Sequence, residues 1–219
     1  MLGFVRRFDP GHKATRDAVA RGDIGALRQV VISSRDPGMP PVAYTEASGG
    51  IFRDMTIHDF DMARFVLGEE PVEVLAQGSR LVEPALMDRL GDYDTVTVLL
   101  RTASGKQCVI NNCRQAVYGY DQRVEALGSL GMVLSDNRKP HESVLHTETF
   151  TGKAAPYLNF FIERYAEAFS AEIDEFVSAV TEQRAPSVGF DDGRLALLLA
   201  EAAIRSAAEN RVVRLSELE

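Results

Sequence analysis

Apolar residues recur in two rhythms along the chain, and the change between them divides it into a helical opening, a β-textured middle and a helical end. From Pro71 to about Thr149 the runs VEVLAQ, DTVTVLLRT, KQCVINNC, YDQRVEALG, MVLSD and SVLHTET are rich in β-branched or alternating residues. Alternation of period two points one set of side chains inward and the other outward. The succession therefore predicts a largely antiparallel open sheet with one covered face. Ala103-Ser104-Gly105-Lys106 supplies a hairpin turn between two of these runs. Farther on, Phe160, Phe161, Tyr165, Phe169, Ile173, Phe176, Val177 and Val180 return at three- and four-residue steps, the mark of one wide apolar helix face. Pro186 breaks that helix, and Leu195 to Ala208 forms another. With no internal repeat, the pattern is α+β: a large, mostly antiparallel open sheet packed by helices on one face.

The opening is mixed. Residues 1–8 read as an apolar strand end running into Arg6, Arg7 and Phe8. A helix follows, with Asp9 as N-cap, Pro10 at its first position and Gly22 closing it. Leu27 to Ser33 has strand character, and SRDPGMPP then excludes a regular element. After Ser48-Gly49-Gly50, a helix is expected from about Asp54 to Leu67, ended by Gly68.

Composition narrows the class without naming a function. A chain of 219 residues suits one large domain, or one domain plus a remnant of another. Its 45% hydrophobic and 26% charged content argues against disorder. A net charge of -8 argues against general binding to nucleic acid or anionic membranes. There is no signal-peptide pattern in MLGFVRRFDPG and no apolar stretch of membrane length. Cys108 and Cys113, five apart in one strand, point to opposite faces and make an intrachain disulfide improbable. A reducing cytoplasm is the expected location.

The candidate chemistry lies in GGIFRDMTIHDFD. On one helix, Asp54, His58 and Asp61 would share a face at i, i+4 and i+7. Carboxylates beside an imidazole orient it and favour its protonated form, which suits a residue that takes a proton from a hydroxyl. A capped, exposed, acidic helix start explains the same spacing. A metal-dependent isomerase or hydrolase using the three residues is a weaker reading. His141, Glu142 and His146 miss the zinc-protease spacing by one residue, so no protein-bound metal is expected. His12 reads as a surface helix residue. One of Arg6 and Arg7 is a candidate to enter a cleft, and Tyr165 is either core packing or a buried hydroxyl reaching a ligand. No two glycines are separated by one residue, so the dinucleotide-binding fingerprint is absent, and no phosphate-binding loop replaces it.

Taken together, VRRFDP, SGGIFRDMTIHDFDMARFVLGEEPVEV, YGYDQRVEALGSLG and FIERYAEAFSAEIDEFV resemble the inositol 2-dehydrogenases of the glucose-fructose oxidoreductase/inositol dehydrogenase (Gfo/Idh/MocA) family. The resemblance spans nearly the whole chain. It implies an N-terminal Rossmann domain followed by an α+β domain whose open sheet mediates dimer or tetramer formation. Residues 1–8 would then be the remnant of the last strand of a missing dinucleotide-binding domain, and residues 9–219 the substrate-binding and catalytic domain. By resemblance, His58 takes the hydroxyl proton and Asp54 is its catalytic acidic partner, while Arg6, Asp36, Tyr120 and Tyr165 line a polyol pocket. The family's lysine in a Glu-Lys-Pro motif has no counterpart here. NAD is expected for the complete enzyme, with no tight binding to this chain alone, and a separate Rossmann domain is a possible partner. The competing expectation is a non-catalytic oligomerisation or polyol-binding module from a truncated or split gene.

Overall fold

Local chemistry fixes the first helix. In the computed structural model, which describes residues 1–218, α1 spans Pro10–Arg21. Asp9 Oδ1 accepts hydrogen bonds from the N–H groups of Gly11 (3.1 Å) and His12 (3.0 Å). Gly22 ends the helix at φ 78°, in the left-handed region that glycine enters without steric cost. The chain continues as β1 (Leu27–Arg35), α2 (Val42–Ala47), α3 (Ile51–Asp54), α4 (Thr56–Leu67), β2 (Pro71–Ser79), α5 (Pro84–Leu90), β3 (Thr95–Thr102) and β4 (Gln107–Cys113). Then come β5 (Asp121–Gly128), β6 (Met132–Ser135), the short pair β7 (Val144–Leu145) and β8 (Lys153–Ala154), α6 (Phe161–Arg164), α7 (Ala166–Thr181), α8 (Phe190–Glu209) and β9 (Val213–Arg214).

Seven strands form the main sheet in the order β6-β5-β1-β4-β3-β2-β9. Only β1 and β4 pair in parallel; the other neighbours are antiparallel. Register turns the alternation of each strand into rows across the sheet. One covered row joins Val74, Leu100, Cys108, Val30 and Ala126, and the next joins Ala76, Val98, Ile110, Ile32 and Val124. All ten are essentially buried, beneath α4 and α8. On the opposite face the row Leu75, Leu99, Val109, Val31, Glu125 and Leu134 is uncovered in this chain. Both cysteines are free, Cys108 buried and Cys113 partly exposed on the other side. Among the described residues, no helix is long and apolar enough to cross a membrane.

Four expectations are corrected. Residues 1–8 form no strand, and Val5–Phe8 is a 3-10 turn. The turn lets both arginines reach carboxylates on α4, a stronger pull than strand geometry without a partner. The helix expected from Asp54 to Leu67 is broken at Met55, so Asp54 ends α3 while His58 lies in the first turn of α4. The helix expected through Phe160 to Val180 is likewise interrupted at Tyr165, whose ψ of 18° separates α6 from α7. Its apolar face is not packed: Ile173, Phe176, Val177 and Val180 are at least half exposed. Finally, SVLHTET yields only the two-residue β7 in an exposed hairpin. Helix α5, between β2 and β3, was not anticipated.

Candidate functional site

The third covered row of the sheet changes character. Gly78, Val96, Asn112, Ser34 and Gln122 align across it, so the two apolar rows give way to amide and hydroxyl groups at one end. Ser34 Oγ donates to Gln122 (2.9 Å), and Asn112 Nδ2 donates to Asp59 Oδ2 (2.8 Å). Asp59, fully buried on α4, accepts from Arg6 NH1 at 2.5 Å, and Arg6 NH2 donates to Ser34 at 3.1 Å. Asp59 and the sheet thereby aim a buried guanidinium. Arg7 takes a different course, pairing with Asp61 through Nε (2.8 Å) and NH2 (2.6 Å) and with Asp192 of α8. Asp61 is consumed by this structural pair, so Asp54, His58 and Asp61 do not converge as a three-residue ligand set.

Arg6, Asp36, Asp54, His58, Tyr120 and Tyr165 all line one pocket of about 860 Å³. Asp36 enters from the proline-rich segment after β1, and Tyr120 from the turn before β5. The Tyr120 and Tyr165 rings meet edge to face, 6.2 Å apart. Asp54 is held at both oxygens: Tyr44 Oη donates to Oδ1 (2.5 Å) and Arg114 NH1 to Oδ2 (2.9 Å). His58 is half-buried, with Phe4 edge-on at 5.9 Å. No hydrogen bond joins Asp54 to the His58 ring among the described residues, so the carboxylate acts on it only through space. Asp59, Arg114 and Tyr44 were missed as site residues. Asp59 lies one residue beyond His58, but its inward direction emerges only when α4 is laid on the polar sheet row.

Electrostatics corrects a second expectation. The His58 imidazole is pushed down to about 4, because burial and the Arg6 cation outweigh the opposing pull of Asp54. His58 is therefore neutral near pH 7, the state that accepts a proton. Burial pushes Asp36 up to about 6, while Arg6 and Arg114 pull it back. A surface location for His12 is also wrong. It is 1% exposed, with Nδ1 2.9 Å from Ser135 Oγ and Nε2 3.4 Å from Tyr165 Oη.

Burial, opposed by Asp9, lowers the His12 imidazole to about 3, giving a testable pH dependence. The unfolded histidine binds its proton at a higher pH than the folded one. His12 therefore contributes stability above about 6.5, and that contribution is lost as pH falls toward about 3. In this window the loss runs at up to about 1.4 kcal/mol per pH unit. Asp36, raised, has the opposite slope between its unfolded and folded values. Urea midpoints measured from pH 7.5 to 4.5 are expected to fall for the parent chain and to fall less steeply for His12→Gln. Equal slopes would remove His12 as the cause.

Carboxylates occupy N–H groups at the starts of three of this chain's helices. The N-terminal N–H groups of α1 are occupied by Asp9, that of Ile51 in α3 by Asp92, and that of Gly189 before α8 by Asp192. A carboxylate at each of these ends repels a pyrophosphate rather than cradling it, and no glycine-rich turn is present to admit one.

The chain matches the GFO/IDH/MocA C-terminal domain over residues 12–134. It is 51% identical to an inositol 2-dehydrogenase of Rhizobium meliloti, over 97% of this chain and 64% of that protein. It is 47% identical to a myo-inositol 2-dehydrogenase of Thermotoga maritima, over 99% and 64%. Among solved structures, a myo-inositol dehydrogenase from Corynebacterium glutamicum superposes with a TM-score of 0.95 at 46% identity, over 98% of this chain and 64% of that one. A scyllo-inositol dehydrogenase from Lactobacillus casei, with bound NAD(H) and scyllo-inositol, gives 0.87 at 28% identity, over 99% and 64%. The chain thus spans just under two thirds of the length of these relatives. Its α+β sheet, its helices on one face and these matches place it in the GFO/IDH/MocA family, as that family's C-terminal domain.

Proposed function

We propose that this chain is the substrate-binding and catalytic part of an NAD-dependent, inositol 2-dehydrogenase-like oxidoreductase acting on a secondary hydroxyl of a cyclic polyol. The observation that carries this reading is the convergence of Arg6, Asp36, Asp54, His58, Tyr120 and Tyr165 on one pocket. A ring bearing several hydroxyls needs donors and acceptors on several sides, and this set supplies both. In this reading Arg6, the tyrosines and the carboxylates hold the ring, and neutral His58 takes the proton of the hydroxyl being oxidised. Residues 1–8 are the junction to a nucleotide-binding domain, and residues 9–219 the polyol domain.

The hydride acceptor, NAD, is held by that separate domain and binds tightly to no part of this chain alone. The uncovered ridge of α7 supports such a partner: Ile173, Phe176, Val177 and Val180 lie on a helix whose Phe169 lines the pocket. A chain lacking that domain turns over no polyol. The free cysteines fit a reducing compartment, the cytoplasm.

Ligand-observed NMR with myo-inositol tests the pocket without turnover. Binding in roughly the millimolar range is expected for the parent chain, and binding about tenfold weaker but still measurable in Asp54→Asn. No binding by the parent, or equal binding by both, would contradict the reading.

The competing idea of an oligomerisation module is favoured by one observation, the largely apolar row Leu75, Leu99, Val109, Val31 and Leu134 on the open sheet face. The row is compatible with the enzymatic reading, because assembly and catalysis use opposite faces of the sheet. We expect a dimer or tetramer through this face. Leu99→Glu is expected to shift the parent assembly to monomer in light scattering, and an unchanged mass would exclude the face as the interface.

A further inference from the structure

Arg114 is the largest side chain sealed in the interior, 1% exposed, immediately after β4. Its guanidinium spans the two ends of the four-residue α3. NH1 donates to Asp54 Oδ2 at the C-terminal end (2.9 Å), and NH2 lies 3.9 Å from Asp92 Oδ2. Asp92 is tied to the other end, where its Oδ1 accepts from the Ile51 N–H at 3.0 Å. The backbone of Arg114 is itself fixed, its N–H donating to the carbonyl of Asp94 at 2.8 Å. Among the described residues Arg114 Nε and NH2 have no hydrogen-bond partner, although the residue lines the pocket. A buried cation is held in place by compensating carboxylates, and here one of them is the pocket carboxylate Asp54.

The two donors on Asp54 differ in kind. Tyr44, on Oδ1, is 53% exposed and sits on the short α2, whereas Arg114, on Oδ2, is closed off from solvent. An incoming hydroxyl can replace the first but not the second. We propose that Arg114 is a positioning residue: it clamps Asp54 Oδ2 so that Oδ1 is presented to the pocket, where a polyol hydroxyl replaces the Tyr44 hydroxyl. This rests on the reading of the pocket as a polyol site. Arg114 acts through Asp54, and Tyr44 keeps the carboxylate satisfied until substrate arrives.

The test uses the 219-residue chain and myo-inositol, with dissociation constants from ligand-observed NMR. Arg114→Met is expected to weaken binding about tenfold, the effect of losing one charge-assisted hydrogen bond. Arg114→Lys keeps the charge without the planar fork and is expected to recover part of that loss. In the Asp54→Asn background, Arg114→Met is expected to add less than about a twofold change, because coupled residues do not add. Tyr44→Phe is expected to tighten binding, since a competing donor has been removed. Should Arg114→Met not fold, Arg114→Lys and its cycle with Asp54→Asn carry the same comparison. Parent-like binding by Arg114→Met, or a full effect persisting without Asp54, would overturn the proposal. So would weaker binding by Tyr44→Phe. Failure of the parent chain itself to bind myo-inositol would remove the polyol reading and this inference together, and is told apart by the parent titration.

Discussion

Asp59→Ala is expected to lower the stability of the chain by about 3–5 kcal/mol, the usual consequence of stranding one member of a buried ion pair. Asp59 is fully buried, and it answers the charge of Arg6, which is 7% exposed. Removing it leaves that guanidinium with Ser34 as its remaining side-chain partner and frees Asn112 Nδ2 from its carboxylate acceptor. Against a typical total of about 5–15 kcal/mol, the loss is a large fraction of the whole. Arg6→Met combined with Asp59→Leu is expected to restore most of the stability, because two apolar side chains carry no desolvation cost into the same space. The double variant should still fail to bind myo-inositol, since Arg6 contributes to the pocket. Urea denaturation beside the NMR titration separates the two effects. A loss below about 1 kcal/mol in Asp59→Ala, the range of an exposed pair, would mean that the pair is not a buried charge couple.

The second large effect belongs to His58. Its ring borders the pocket, it is held neutral by burial and by Arg6, and among the described residues no side chain competes for it through a hydrogen bond. A positioned base of this kind is worth about 10²–10⁴-fold in rate. In a complete enzyme, His58→Ala is expected to lower kcat by that order while moving the urea midpoint little, because the half-buried ring packs chiefly against Phe4. Equal losses of stability and activity would instead favour a purely structural role for the helix start. The low imidazole value also predicts that the acidic limb of the rate profile, where protonation of His58 removes the base, lies near 4 rather than near 6.5.

Much of this architecture was legible in the strands. In β3, Val96, Val98 and Leu100 alternate with exposed Thr97, Leu99 and Arg101, and the period of two placed them on the covered face. Helix boundaries were legible where a local cause exists, as with Asp9, Pro10 and Gly22. They were not legible at Met55 or Tyr165. There the breaks follow from tertiary demands, Asp54 turning to Arg114 and Tyr165 turning into the pocket, which periodicity does not encode. The same holds for the site. The Asp54 and His58 motif marked the place, but Asp59 and Arg114 became visible only when α4 met the polar row of the sheet. The protonation of His58 was misjudged because sequence shows Asp54 nearby and hides Arg6, which comes from 52 residues earlier in the chain. The ridge of α7 was legible as one wide apolar face but not as an unpacked one, since an apolar stripe looks the same whether this chain or a partner covers it.

The most direct measurement joins this chain to the part of its Rhizobium meliloti relative that it does not cover and follows NAD reduction with myo-inositol. Inositol-dependent NADH formation is expected from the joined protein, none from the 219-residue chain alone, and a rate lowered by about 10²-fold or more after His58→Ala. A joined, folded protein that binds NAD yet oxidises no inositol, or one in which His58→Ala retains full activity, would contradict the assignment of this pocket to polyol oxidation.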